Sequence, residues 1–436
     1  MNFINSEAFA LQLDEQDELK AFKNEFIIPK HQGKEVIYFT GNSLGLQPKI
    51  TQSYIQQELE DWAQFAVEGH FKAKRPWYSY HEFLTEKSAQ IVGAKNTEVV
   101  CMNQLTVNLH LLLVSFYRPS KNRYKILCET KAFPSDQYAL ESQVAFHGYK
   151  PEDAIIELIP RPGEYAIRLQ DILDTIEKHK NELSLVMMGG VNYYTGQVFN
   201  MQAITQAAHK AGAYAGYDLA HAAGNIKLEL HNWNVDFACW CSYKYLNSGP
   251  GSVSGVFIHE NHHRANLPRF AGWWGYDKNT RFKMQKGFVP IPTAEAWQLS
   301  NAGVFSMAPH LASLTIFEKA GMEKLTSKSQ LLTAYLEFII QETNQYLKQI
   351  NSPTYLKIIT PKNNDEVINY PSSINRGAQL SIIAENMGKE LFNKLTDKGV
   401  VADWREPNVI RMAPVPLYNS FKNIFDFGQL LKEILS

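Results

Sequence analysis

The sequence predicts an α/β fold, with a mainly parallel central sheet covered by helices on both faces and a smaller α+β C-terminal domain. Three observations carry this. Short continuous apolar runs, such as Leu185-Val186-Met187-Met188 and Phe237-Ala238-Cys239-Trp240, read as strands buried on both faces. These runs alternate with segments of helical periodicity, the signature of βαβ units. After about Ala308 the texture changes, and long helical patterns over 309–350 give way to a polar Asn/Ser/Pro stretch near Asn351 and further short strands.

Taken in order, residues 1–30 read as a helical lead-in with Phe9, Leu13, Leu19 and Phe26 available for packing. Val36 to Phe39 reads as a short strand, and Gly41-Asn42-Ser43-Leu44-Gly45 as a tight turn suited to close approach by a ligand or another chain. From Thr51, Ile55, Leu59, Trp62 and Phe65 recur at helical spacing and form an amphipathic stripe. A second helix is expected over 79–92, and the segment after Thr106 is apolar nearly all round, which predicts a buried helix. Strands are expected at 125–128, 185–188, 213–217, 237–240 and 255–258, with helices over 137–147 and 201–211 between them. The C-terminal part offers strands at 380–383 and 409–413, a helix from about Asn386 and a last helix after Ser420. The expected division is an N-terminal segment (1–50) packing on the small domain, a large domain (51–308) and a small C-terminal domain (309–436).

Composition narrows the function. The 436 residues hold 45% hydrophobic side chains, ample for a large core. Lys plus Arg number 43 against 44 Asp plus Glu, so no overall field attracts nucleic acid or an anionic membrane. No apolar run reaches the length of a membrane span and no signal peptide opens the chain, which predicts a cytoplasmic protein. The four cysteines, Cys101, Cys128, Cys239 and Cys241, are too few for a disulfide framework, and their spacing suits core positions rather than a metal.

Four local signals point to chemistry. Lys244, in Ser242-Tyr243-Lys244-Tyr245-Leu246-Asn247, follows an apolar strand and precedes a Gly/Pro turn. A lysine facing a pocket there can form an imine with an aldehyde cofactor. Asp218 ends another strand, where ligands of open parallel sheets bind, and can hold a pyridine nitrogen protonated or merely cap a helix. Asn103-Gln104-Leu105-Thr106 precedes the buried helix and can bind phosphate through backbone N–H groups, or simply cap it. Phe133, in Ala132-Phe133-Pro134-Ser135-Asp136, can stack on a flat ring, or the segment is only a turn.

Together these residues resemble the fold-type-I pyridoxal-phosphate enzymes, the aspartate-aminotransferase-like group. Longer segments are similar to the kynureninase family in particular. These are Tyr38 to Leu46, Gly190-Val191-Asn192-Tyr193-Tyr194-Thr195-Gly196-Gln197, Tyr217 to Ala222, Asp236 to Asn247, Gly272-Trp273-Trp274-Gly275, Ser300-Asn301 and Arg411 to Phe421. The matches extend from about residue 38 to 421.

The resemblance implies pyridoxal 5'-phosphate bound covalently to Lys244 as a Schiff base, with Asp218 at the pyridine nitrogen and His221 beside it. It places Leu105, Thr106, Tyr243 and Trp273 at the phosphate, Phe133 on the ring, and Pro134, Ser135, Asp136, Gly189 and Asn301 around the cofactor. Gly189 stands where some relatives carry Ser. Arg376 is expected to grip the substrate α-carboxylate, with His70, Asn301 and Ser43 also at the substrate. His70 and Asn301 match positions at the substrate's aryl ring and look like the type that prefers 3-hydroxykynurenine, because a polar pair satisfies a phenolic hydroxyl. The implied reaction is hydrolysis of 3-hydroxy-L-kynurenine or L-kynurenine to 3-hydroxyanthranilate or anthranilate plus L-alanine, in tryptophan catabolism and NAD biosynthesis, with Tyr243 as candidate proton donor. The resemblance also implies a homodimer, with the Gly41 to Leu46 turn and Trp273 reaching in from the partner chain. The rivals are an aminotransferase or cysteine desulfurase of the same fold and a non-catalytic cofactor-binding regulator. A desulfurase needs a mobile cysteine late in the chain, and all four cysteines precede residue 242. A regulator needs a basic extension, and none is present.

Overall fold

Parallel strands need crossover connections, so the alternation in the sequence builds its sheet through helices. The computed structural model describes residues 2–363, 365–369 and 374–436. The central sheet has seven strands: β2 (Val99–Cys101), β3 (Lys125–Glu129), β4 (Ile155–Leu158), β5 (Leu183–Gly189), β6 (Tyr214–Asp218), β7 (Phe237–Trp240) and β8 (Gly255–Ile258). A short β1 (Ile37–Tyr38) precedes them outside this sheet. Their spatial order is β2-β8-β7-β6-β5-β3-β4. Only β8 runs antiparallel to its neighbours; β3 to β7 pair in parallel.

Helices α1 (Glu7–Gln16), α2 (Thr51–Phe65), α3 (Glu82–Val92), α4 (Leu105–Phe116), α5 (Pro134–Phe146), α6 (Leu169–Lys178) and α7 (Met201–Lys210) follow in chain order, then α8 (Val304–Ala320) and α9 (Met322–Gln349). The two faces of the sheet carry separate cores. One packs Leu127, Val186 and Met188 with Ile172 and Ile204, and the other packs Ile126, Leu185 and Met187 with Leu112 and Leu140. This alternation along β3 and β5 is the period-two pleat of strands covered on both sides.

The C-terminal part has its own antiparallel sheet, built from β9 (Tyr355–Ile358), β10 (Leu380–Glu385), β12 (Asp403–Arg405) and β13 (Val409–Met412) in the order β9-β10-β13-β12. Helices α10 (Lys389–Asp397) and α11 (Phe421–Leu435) complete it, and β11 (Val400–Val401) pairs in parallel with β1. Its core joins Leu332, Leu336 and Ile340 of α9 to Ile382, Ile410 and Phe427, and takes in Ala10, Leu13 and Phe39 from the N-terminal segment.

Three expectations are corrected. The lead-in is helical only over α1 and a 3-10 turn at Lys20–Glu25, because the chain then enters a short hairpin, Lys30–His31 with Lys34–Glu35. The expected boundary at 308/309 falls inside α8, whose Ala308 and Leu311 belong to the large core; the small core begins at Leu332. The apolar stripe of α2 does not face inward. Leu59 and Trp62 are exposed, whereas Glu58 and Asp61 are buried. The buried acids are satisfied: Glu58 accepts from Arg75, Trp77 Nε1 and Tyr80 OH, and Asp61 accepts from the Lys74 N–H.

Candidate active site

The carboxyl ends of β3, β5 and β6 and the loop after β7 converge on one cleft, where an open parallel sheet binds its ligands. The cleft holds about 530 Å³ and is lined by Leu105, Thr106, Glu129, Phe133, Ser135, Asp136, Gly189, Tyr193, Asp218, His221, Tyr243 and Lys244, among others. Ten of the residues expected at the cofactor or the chemistry thus share one cavity.

Asp218 is the last residue of β6 and is buried at the floor, accepting from the Ala220 N–H at 2.7 Å. Burial pushes its carboxyl up, against the pull of nearby Lys244. Asp136, in the first turn of α5, is pushed well above the ordinary carboxylate range by burial and then by Asp218 beside it. Its Oδ1 has no hydrogen-bond partner. Two carboxyls this close in a dry site share a proton. Lys244 Nζ hydrogen-bonds to His221 Nε2 at 3.0 Å. Burial, then Lys244, drives the His221 pKa well down, so the ring is neutral and accepts from the amine. Lys244 Nζ lies 5.6 Å from the Phe133 ring centroid and 5.9 Å from that of Tyr243. Burial raises the Tyr243 pKa, with Cys241 adding to it, so the phenol keeps its proton.

Helix α4 opens at Leu105 behind Gln104, which makes no side-chain cap, so Thr106 is a first-turn residue and not the cap. Its leading N–H groups and the Thr106 hydroxyl are therefore available to an anion at the cleft. Phe133 precedes Pro134, the first residue of α5, and stands edge-on to Tyr193 at 5.4 Å. Gly189 leaves the space between β5 and the Glu129 carboxyl open; a Cβ there would lie 2.9 Å from Glu129 Oε1.

These residues fit pyridoxal phosphate. The fit rests on the orphaned Asp136 Oδ1 and His221 Nδ1, the uncapped helix start, the aromatic face and the amine, all on one cavity.

Six expected residues do not line the cleft: Pro134, which opens α5 beside it, and five others. Trp273 is half-exposed and donates its indole N–H to the Arg281 carbonyl. Asn301 and His70 do come together, in a second pocket of about 570 Å³ with Glu58, Trp62, Trp77, Val304 and Phe305, and His70 stands edge-on to Trp77 at 5.6 Å. Ser43 does not line the cleft, and the turn that carries it packs on its own chain: the Gly45 N–H donates to the Tyr243 carbonyl. Arg376 is buried with its guanidinium 2.6 Å from Glu337 of α9, and it does not line the cleft. The guanidinium groups whose charge reaches His221 are those of Arg411 and Arg405. Arg411, on β13, donates to the Tyr193 carbonyl at 2.7 Å and to Asp403 at 2.5 Å, and its Nε has no partner.

Glu129, Tyr193 and Arg411 were missed by sequence reasoning. Glu129 carried the same signal as Asp218, an acid ending an apolar strand. Two further clusters have metal-ligating residue types, Glu98 with His231 and His259, and His81 with Glu82 and Glu295. Their donor atoms are engaged within the protein. Glu98 Oε1 accepts from His231 Nδ1 and the Glu260 N–H, and Lys278 bridges Glu82 and Glu295.

The fold and the cleft define the class, a fold-type-I chain of the aminotransferase class-V group, and the family model of that description matches residues 37–360. The model described as kynureninase C-terminal domain matches residues 325–431. The chain belongs to the kynureninase family. It is 59% identical over 434 residues to a kynureninase of Flavobacterium psychrophilum, covering 99% of both chains. It is 46% identical over 441 residues to that of Homo sapiens, covering 98% of this chain and 93% of the other. Among solved structures, the apo cysteine desulfurase of Thermococcus onnurineus aligns with a TM-score of 0.70 at 17% identity, over 92% of this chain and 94% of that one. A cystine C–S lyase bound to its product cysteine persulfide aligns with a TM-score of 0.73 at 14% identity, over 91% and 97%. At such identity these two share the fold alone. Among the described residues, no helix is long and apolar enough to cross a membrane.

Proposed function

We propose that the chain is a pyridoxal-phosphate-dependent kynureninase that hydrolyses the Cβ–Cγ bond of L-kynurenine or 3-hydroxy-L-kynurenine, releasing L-alanine and anthranilate or its 3-hydroxy form. The observation that carries this reading is the shared cleft of Lys244 Nζ and the Asp218 carboxyl, with the Phe133 ring beside the amine.

Each residue has a task set by its geometry. Lys244 is the amine that would bond the cofactor aldehyde, and the neutral His221 at 3.0 Å orients that amine, which when free would serve as a proton carrier. Asp218 would hold the pyridine nitrogen, and a positive charge there would offset the cost of ionising this buried carboxyl. Asp136, sharing its proton with Asp218, limits the charge at that end. The α4 N-terminus and Thr106 hold the phosphate. When bound, pyridoxal phosphate supplies an electron sink for negative charge at the substrate α-carbon. Tyr243, kept protonated by burial, donates a proton to the alanine fragment. Arg411 is a better candidate than Arg376 for the α-carboxylate anchor, since it donates to Tyr193, which lines the cleft, and its charge reaches His221.

The pocket of His70 and Asn301 supplies the aryl-ring contacts from a second copy of the chain, as does Trp273. Exposed apolar side chains surround it. Trp62 lies 6.0 Å from Phe305, Phe71 stacks on Tyr78 at 5.8 Å, and Trp273 meets Phe282 at 5.4 Å. A contiguous aromatic surface beside a half-built pocket marks an interface, which supports a homodimer. The chain's setting in the cytoplasm is part of the same reading.

Lys244→Ala tests the assignment. It is expected to abolish alanine release from kynurenine and to remove the visible cofactor absorbance that borohydride eliminates in the wild type. A wild-type protein that is colourless and cofactor-free at full turnover would overturn the scheme.

A further inference from the structure

The floor of the cleft holds three carboxyl groups, Glu129, Asp136 and Asp218, each at least nine-tenths buried. They are unequally supported. Asp218 has the Ala220 N–H and the nearby Lys244 charge, and Asp136 shares with Asp218. Glu129 has only backbone donors: both its oxygens accept from the Gly189 N–H, at 3.0 and 3.2 Å, and its own N–H lies close by. The titratable groups that face it are Asp218 on β6, Asp136 on α5, Tyr193 beyond β5 and Cys128 on its own strand; Glu157 of β4 is held by the Thr130 hydroxyl. No cation pairs with Glu129 among the described residues. One nearby cation, Lys244, cannot balance three buried anions, so they do not coexist there.

We propose that Glu129 is a positioning residue held as the neutral acid, whose proton leaves Asp218 as the single anion facing the bound cofactor. The proposal rests on the reading of Lys244 and Asp218 given above. Geometry gives it a reason: Gly189 pairs with Asp218 across β5 and β6, so the peptide that anchors Glu129 also fixes the strand end beside Asp218. Burial, with Asp218 adding to it, pushes the Glu129 carboxyl up to about 7, so the neutral form prevails below that pH and gives way above it. Ionisation then adds a negative charge beside the ring, which raises the proton affinity of the cofactor and changes its absorbance.

The test is a spectrophotometric pH titration of the holoenzyme, wild type against Glu129→Gln, which keeps shape but cannot ionise. The wild type is expected to show a spectral transition with a midpoint near pH 7. The glutamine variant is expected to keep the low-pH spectrum throughout. Gly189→Ala presses a methyl group against Oε1 and weakens the Gly189 hydrogen bond, so it moves the midpoint upward. Infrared spectra of the wild-type apoprotein give a check that needs no cofactor. In the difference between wild type and variant, where the proton shared by Asp136 and Asp218 cancels, a protonated-carboxyl band should fade through the same pH range. A glutamine variant that titrates like the wild type, or an apoprotein without the band, overturns the proposal. Failure of the Lys244 reading is distinguishable: Lys244→Ala would then keep its covalent cofactor, while the infrared result on Glu129 would be unaffected.

Discussion

Two buried arginines show how far side-chain direction matters at the scale of one residue. Arg376 stands just before β10, and its guanidinium pairs with Glu337, which is itself mostly buried. Arg411 is on β13, whose register with β10 pairs it with Ser381, and its guanidinium reaches Tyr193 at the cleft. Removing one partner of a buried ion pair costs about 3–5 kcal/mol, because the other charge is left without compensation. Losing a charged hydrogen bond to a substrate costs about 1.5–3 kcal/mol, or roughly tenfold to a hundredfold. Arg376→Ala is therefore expected to lower the thermal midpoint sharply, and Arg376→Lys to keep a near-normal KM. Arg411→Lys keeps the charge but loses the fork, so kcat/KM should fall roughly tenfold to a hundredfold, mostly through KM. Steady-state kinetics beside thermal melts separate the two. A KM effect confined to Arg376 would return the carboxylate to that residue.

At the scale of elements, the strands and their ends were legible because burial on both faces demands unbroken apolar runs, and the open sheet puts ligands at their carboxyl ends. Lys244, Asp218 and Phe133 were readable for that reason. Direction was not readable. In α2 the periodicity of Ile55, Leu59 and Trp62 is genuine, but the local partners Arg75, Trp77 and Tyr80 draw Glu58 inward and turn the apolar stripe to the surface. Nothing in helical spacing says whether an apolar face meets its own core or another chain. The N-terminal helix docks by a different device. Asp14 of α1 accepts from the N–H groups of Phe421 and Lys422, at 2.7 and 3.0 Å, and so closes the start of α11 beside the Ser420 cap. Lys328 adds an ion pair to Asp17 at 2.6 Å. Asp14→Ala leaves two helix N–H groups without acceptors and should cost about 1–2 kcal/mol in denaturant unfolding. Asp14→Asn, which keeps an acceptor, should cost less. Equal losses for both variants would assign the effect to charge and not to the cap.

At the scale of the whole molecule, the cleft of Lys244 and the pocket of His70 and Asn301 share no lining residue. A single protomer thus presents Lys244 without His70 and Asn301, and the surface around the latter pair is aromatic and exposed. If a twofold dimer brings the pocket of one chain over the cleft of the other, each site needs both chains. Two inactive variants then complement each other. Lys244→Ala destroys one cleft, and a His70→Ala, Asn301→Ala double variant spoils the contribution to the partner's cleft. Unfolded apart and refolded together in equal amounts, about half of the dimers are mixed, and each mixed dimer holds one intact site and one doubly damaged site. The mixture should then recover about one quarter of wild-type activity, while either parent alone stays near zero. The Lys244 variant paired with wild type should show activity in proportion to the wild-type clefts. If the cleft and the aryl pocket of one chain make a complete site, mixing gives only the sum of the parents, and the exposed aromatic surface must serve some other contact.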